Sequence, residues 1–391
     1  MGRGHNYTTR LGIILLLLAI FISNFAYATT YYVDSSDGAD SNNGLSQDKA
    51  FKGLEYAVSK LKGGDTLYLL EGNYYSSVPI ELSNMDLNSP IKIGAYSGHT
   101  ATIKSNIAKY ESPTSGLWTK VSDTSLNMWS SPLDSVNSEF IAQYSSSKVS
   151  LFSYTSNSQF RDPKNPEGIY YDSAANKMYV RFDDSSKNPN NFGLIISGNF
   201  NFNFYKISGA GLVISDLSFV GGTRCINIDE SENIEIEGNT CTGAFLGISV
   251  KTSKNVNIHH NTLTMKRGDF PYKNMKGSLY ETSGIFLQDD LDGVKVSYNK
   301  VTGHFNGILT YSTSTGKFSN ANIYNNVIKD IYDDAIEIED YCNGASYHHN
   351  NISDSFVGFS LSPANAEQKR CHIYNNIIVA NKADIWDTSG E

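Results

Sequence analysis

Four carboxylates fall within seven residues of the segment Ile331-Tyr-Asp-Asp-Ala-Ile-Glu-Ile-Glu-Asp-Tyr-Cys-Asn-Gly344: Asp333, Asp334, Glu337 and Glu339. Two chemistries need such a group. One is proton transfer between a carboxylic acid and a carboxylate base. The other is coordination of a hard cation by several oxygen ligands. Glu337 and Glu339 alternate with Ile336 and Ile338, the period of a β-strand with one face in a core and the other outside it. Two residues apart on a strand, their Cα atoms lie roughly 6.5 to 7 Å from each other. Asp333 and Asp334 precede this strand at an expected corner. The competing reading is a solvated acidic edge, where most charged side chains sit.

The elements that position these residues are visible as a repeat. Ile234-Glu-Ile-Glu-Gly-Asn239, Val256-Asn-Ile-His-His-Asn261, Val294-Lys-Val-Ser-Tyr-Asn299, Ala321-Asn-Ile-Tyr-Asn-Asn326, Ala345-Ser-Tyr-His-His-Asn350 and Cys371-His-Ile-Tyr-Asn-Asn376 are six copies of one motif, each ending in asparagine. Most copies are followed by a further short strand: Gly247 to Val250, Gly284 to Leu287, Gly307 to Thr310, Ala335 to Ile338 and Gly358 to Leu361. Such a unit cannot bury its apolar side alone, so successive coils of two or three short strands must stack, each strand pairing with its equivalent at about 4.8 Å. The asparagines then form an internal ladder, and the glycines opening the further strands are structural as well.

Stacking converts the alignment into neighbours. The outer files of the further strand read Ser249, Phe286, Leu309, Glu337, Ser360 and, beside them, Lys251, Gln288, Tyr311, Glu339, Ser362. The corner before it reads Ser283, Asn306, Asp334, Val357, and the first strand's outer file reads His259, Ser297, Tyr324, His348, Tyr374. The pairs His259-His260 and His348-His349 are read as ladder or surface residues rather than metal ligands. A cation would take Asp289, Asp290, Asp333 and Asp334; the first two lie two coils from the others, or ~10 Å. Calcium is the ion such oxygen ligands suit.

Ahead of the repeats, Arg3 and Arg10, the apolar run Leu11 to Phe25 and Ala26-Tyr27-Ala28 form a signal peptide cleaved after Ala28. This predicts a secreted or periplasmic protein with no membrane association after cleavage. The net charge of −9 excludes a surface built for nucleic acid. Residues 29–75 read as a cap, with an amphipathic helix over Ala50 to Lys62 ended by Gly63-Gly64. Residues 106–197 read as a small β insertion containing a hairpin of Gly168 to Asp172 and Lys177 to Phe182, and regular coils run from about 205 to 391, all within one domain, 29–391. The chain stops after Ile385-Trp386-Asp387 with no closing helix, so the last coil is expected to be uncovered and open to self-association. The four cysteines permit a bridge between Cys342 and Cys371, with buried free thiols as the alternative.

These repeats resemble those of the right-handed parallel β-helix proteins of the pectate-lyase-like superfamily. Tyr31-Tyr-Val-Asp with Asp40 to Gly44, the Ala50 to Lys62 helix and Gly64-Asp-Thr-Leu-Tyr-Leu69 are similar to the cap and first coil of exported members. The resemblance implies an all-β fold, a right-handed parallel β-helix with an N-terminal capping helix and the β insertion, and a polysaccharide partner laid across the coils. For activity it implies a glycoside hydrolase or a polysaccharide lyase, with a non-catalytic glycan-binding or adhesive β-helix as the alternative. Hydrolysis would use Glu337 and Glu339, with Asp333 and Asp334 beside them. A lyase would use calcium to hold a uronate carboxylate and a base drawn from Lys251, Tyr311 or His304, or from Lys266, Arg267 and Lys273 on the long Thr264 to Thr282 loop that interrupts the repeat.

Overall fold

The computed structural model describes residues 28–379, apart from positions 77, 106, 123, 134–139, 199–200, 267, 269, 279, 312–317, 340–343 and 363–370. The signal-peptide segment, Cys342 and the chain after 379 therefore lie outside the described residues. No helix among the described residues is long and apolar enough to cross a membrane.

The chain winds as a parallel solenoid with three faces per coil. The first face runs through Thr30–Val33, Thr66–Leu69, Ile91–Ala95, Leu212–Ser215, Glu232–Glu237, Lys254–His259, Lys295–Ser297, Asn322–Tyr324, Ser346–His348 and His372–Tyr374, each strand paired to the next. A short second-face strand follows the asparagine, as in Thr240–Thr242, Thr262–Thr264 and Lys300–Thr302. The third face stacks Asn201–Gly209, Arg224–Asp229, Leu246–Lys251, Ser283–Gln288 and Asn306–Tyr311. At the carboxylate coil the second and third faces merge into one strand, Val327–Glu339, with a register shift between Ile331 and Asp334 that turns the corner.

One apolar core fills the coil interior. Ile336 and Ile338 join it with Ile285, Leu287, Ile308, Ile323 and Tyr347, all at most 1 % exposed. The asparagine ladder borders this core. Asn261 donates from Nδ2 to the Ile236 carbonyl at 2.9 Å and to Asn299 Oδ1 at 3.0 Å, and its backbone N–H donates to the same Oδ1 at 3.0 Å. Asn299, Asn326 and Asn350 repeat the pattern. A Cβ on Gly247 would sit 2.4 Å from the Gly284 carbonyl oxygen, and one on Gly307 would sit 2.3 Å from that of Ala335, so these positions are small because adjacent coils approach closely there.

Two expectations change. The capping helix is shorter than its pattern predicts: helical geometry covers Leu54–Val58, while Phe51 is held in an extended bridge to Val33. Its apolar face is nonetheless buried, through Phe51, Leu54, Ala57, Val58 and Leu61. The free-thiol alternative gives way: Cys225 and Cys241, 16 residues apart on different faces of adjacent coils with Cα atoms 6.1 Å apart, form a disulfide, and Cys371 is also disulfide-bonded, while Cys342 lies outside the described residues.

Between the first coils and the repeats lies a seven-stranded sheet running from Thr119–Lys120 to Leu194–Ser197, in which Gly168–Asp172 and Lys177–Phe182 pair antiparallel. It has its own core around Trp118, Leu151, Met178 and Val180. A further cluster of Phe152, Phe160, Met265, Phe270, Met275, Tyr280 and Phe305 joins this sheet to the 264–282 loop and to the corner of the solenoid. That cluster presses the loop against the carboxylate coil.

Candidate active site

The files expected from the repeat are present. Ser249, Phe286, Leu309, Glu337 and Ser360 are register partners in turn, as are Lys251, Gln288, Tyr311, Glu339 and Ser362. What differs is the environment. Asp333, Asp334 and Glu337 point away from the apolar core, yet each is only 6 % exposed. The expectation of a solvated edge fails here because the non-repetitive loop covers the corner.

The cover is built from one helical turn, Tyr272–Met275, with Met275 buried in the aromatic cluster. By register, Phe305, Asp333 and Phe356 occupy one corner file on three successive coils. The Tyr272 ring lies 5.4 Å from Phe305 and 6.4 Å from Phe356, bridging the coil between them. Its hydroxyl donates to Asp333 Oδ2 at 3.1 Å, and Lys276 Nζ donates to the same oxygen at 3.0 Å. Lys276 is also 3.1 Å from Glu281, which in turn accepts from the Gly277 N–H at 3.0 Å. The loop is thereby latched to Asp333 at one end and closed on itself at the other.

On the next residues Asn306 acts as a template. Its Oδ1 accepts from the Asp334 N–H at 3.3 Å while its Nδ2 donates to Glu337 Oε2 at 2.6 Å. Burial, then the charge of Asp333, pushes Asp334 from its ordinary 3.8 up to about 7, against the pull of Lys276 and a hydrogen bond with Ser360. Burial, then the charges of Asp334 and Glu339, pushes Glu337 from 4.5 up to about 8, with Glu337 and Glu339 hydrogen-bonded to each other. Burial alone would lower Lys276, but its bonds to Asp333 and Glu281 outweigh that and hold the ammonium protonated. Tyr272 is pushed up to about 12 by burial and by Asp333.

The other expected participants sit elsewhere. Tyr311 is the neighbour of Glu339 one coil back, but Lys251 lies three coils from Glu339, roughly 14 Å by stacking, and is 3.7 Å from Asp289. His304 is buried with neither ring nitrogen hydrogen-bonded, and burial drives its pKa down to about 3. Asp289, Asp290, Asp333 and Asp334 do not gather into a set of three ligand atoms within 4.8 Å. Asp290 and Asp292 instead line a separate cavity with Lys254, Leu291 and Ser319. Of the loop bases, Arg267 and the Lys273 side chain lie outside the described residues, and Lys266 lines a cavity of about 500 Å³ with Thr302, Asp330 and Tyr332. The residues that sequence reasoning passes over are Tyr272 and Lys276. They carry no motif; the available signal is the length of their loop and its place in the repeat.

Asp333, Asp334 and Glu337 are thus buried carboxyls on the outside of a parallel β-helix, with Asp333 held by an inserted loop. The chain belongs to the family described as right handed beta helix region, whose model matches residues 145–322 and 192–378. Among solved structures it is similar to XylC in complex with xylose, at 14 % identity and a TM-score of 0.56, with 91 % of this chain and 76 % of that one covered. It is also similar to pectate lyase Pel9A, at 10 % identity, a TM-score of 0.42 and coverage of 88 % and 80 %. A third is a glycoside hydrolase, at 10 % identity, a TM-score of 0.38 and coverage of 89 % and 96 %. At these identities the likeness is one of fold. No curated protein matches the chain.

Proposed function

We propose that this is an exported glycoside hydrolase acting on an extended glycan laid across the third face, with Glu337 as general acid and Asp334 as the partnering carboxylate. The observation that carries the reading is the pair of buried carboxyls raised to about 7 and 8 beside a carboxylate held by Lys276. Two carboxyls whose environments keep one protonated near neutrality while its neighbour can ionise are the machinery of glycosidic hydrolysis. Protonated Glu337 donates to the departing glycosidic oxygen, and ionised Asp334 meets the positive charge that grows on the sugar or activates water.

β-Elimination finds less support. It needs a base able to take a proton near neutral pH; Lys276 and Tyr272 are held in their protonated forms, which leaves Asp334 or Glu337 for that role, and the product assay below separates the two reactions. Lys276, paired with Asp333, offsets part of the negative charge at this corner. Lys276, the ammonium at this corner, is already paired with Asp333 and Glu281 and so is not free to hold a uronate carboxylate, and the glycan is assigned as neutral or amino-bearing. A cavity of about 600 Å³ flanks the same loop, lined by Phe152, Tyr154, Gln159, Asn165, Asn274 and Ser278. Its mixture of rings and amides suits a sugar.

The test is a panel of neutral, amino-bearing and uronate polysaccharides, assayed for new reducing ends and for absorbance of an unsaturated product. Reducing ends from a neutral or amino-bearing glycan without that absorbance are expected. Both signals together would transfer the assignment to a lyase, and silence across the panel would favour a glycan-binding protein.

A further inference from the structure

The first face carries two histidine pairs in the same backbone setting. His260 and His349 both adopt left-handed conformations at the corner, with φ of 56° and 54°. In each pair the two Nδ1 atoms are hydrogen-bonded, at 2.8 Å in His259-His260 and 2.7 Å in His348-His349. The residues that the register places one coil earlier are different. Asn322 and Tyr324 precede His348, whereas Glu235 and Glu237 precede His259 in the equivalent positions.

His348 is wholly used by the ladder. Its Nε2 lies 2.8 Å from Asn322 Oδ1, and its ring stacks on Tyr324 at 5.2 Å and 12°. His259 instead directs Nε2 at two carboxylates, 2.7 Å from Glu235 Oε1 and 3.8 Å from Glu237 Oε2. Ligand atoms of these three residues all lie within 4.8 Å of one another, the one such group among the described residues. The coil at His348 closes without carboxylates, so packing does not require Glu235 and Glu237. We propose that Glu235, Glu237 and His259 form a site for a divalent transition-metal ion of the zinc type, tying two adjacent coils together.

One imidazole and two carboxylates are a donor set that zinc accepts, while calcium and magnesium favour oxygen alone. Bonds of about 2.0 to 2.2 Å place tetrahedral ligand atoms roughly 3.3 to 3.5 Å apart. From 2.7 Å the first contact must open by about 0.6 to 0.8 Å, and from 3.8 Å the second must close by about 0.3 to 0.5 Å. Glu235 and Glu237 side chains, 42 % and 43 % exposed, are free to do so. To offer the Nε2 lone pair, neutral His259 takes the Nδ1–H tautomer and donates to the Nδ1 lone pair of His260, whose own proton sits on Nε2; the change of tautomer leaves each ring with one proton and releases none overall. His260 is fixed for that role by stacking on Tyr298 at 5.1 Å and 10°, and Asn257 Nδ2 donates to Glu235 Oε1 at 3.3 Å. Such outer partners orient a metal-binding histidine. A fourth position faces solvent.

The experiment is a calorimetric titration of the full chain with zinc chloride, paralleled by the visible spectrum with cobalt(II) and by melting temperature. Expected are one saturable site, a tetrahedral cobalt spectrum and a zinc-dependent rise in Tm. His259→Ala should abolish all three, His260→Ala should weaken binding on the order of tenfold, and His348→Ala should leave it unchanged. Should His259→Ala not fold, the double variant E235Q/E237Q, which keeps side-chain size, decides the question by the same loss. No saturable zinc binding, zinc affinity unchanged in the double variant, or zinc affinity lost in His348→Ala would overturn the proposal.

Discussion

At the scale of the residue, the account rests on protons held by Asp334 and Glu337. Each is raised above its ordinary value, from 3.8 to about 7 and from 4.5 to about 8. A carboxyl with a raised folded pKa binds its proton more tightly in the native state. Between the two pKa values the native state therefore holds more protons than the unfolded chain, and stability falls as pH rises from about 4 to about 8. Glu337→Gln keeps the shape and removes the ionisation, so its melting temperature should exceed that of the wild type at pH 9 and approach it at pH 5; the same Tm difference at both would contradict the burial argument. Hydrolysis should follow a bell with its maximum between about pH 7 and 8, the acid limb from ionisation of the partner carboxylate and the alkaline limb from loss of the acid's proton. Steady-state rates across pH 5 to 10 check this.

At the scale of the element, the 264–282 loop makes a solvated corner into a site. Lys276→Met leaves Asp333 with Tyr272 as its remaining loop partner and removes the positive charge that restrains both Asp334 and Glu337. The expected outcomes are an alkaline shift of the pH–rate maximum and a loss of roughly 1 to 3 kcal/mol, the cost of a poorly satisfied buried group. Denaturant unfolding and the pH profile of the variant measure the two. This element also marks where sequence reading stops. The outer files through Glu337 and Glu339 were legible residue by residue, because the ladder asparagines hold every coil in phase. Burial of Asp333 was not, because its partners Tyr272 and Lys276 lie on a segment with no period, packed against a sheet earlier in the chain. Lys251 shares the file of Glu339 and stands three coils from it, since a shared file conveys register rather than distance.

At the scale of the whole molecule, the solenoid is a stack whose coils depend on their neighbours. Asn299 sits in mid-ladder, donating to Ile258 O at 2.9 Å and to Asn326 Oδ1 at 3.0 Å while accepting from Asn261. Asn299→Ala should cost about 1 to 3 kcal/mol through the polar groups it orphans, read as a lower urea midpoint without loss of the far-ultraviolet strand signal. The Cys225–Cys241 bridge closes a separation of 16 residues, for which loop entropy suggests roughly 3 kcal/mol. The strand repeat was open to inspection in the sequence, which left two or three strands per coil; the third side and this bridge were not, since Cys225 and Cys241 belong to different faces.

The most direct test of the central claim compares wild type and Glu337→Gln on two substrates of the same sugar, the natural glycan and an aryl glycoside with a good leaving group. If Glu337 protonates the departing oxygen, the variant should lose ~10²- to 10⁴-fold on the glycan and far less on the aryl glycoside, which leaves without a proton. Equal losses on both substrates, or full activity on the glycan, would contradict it.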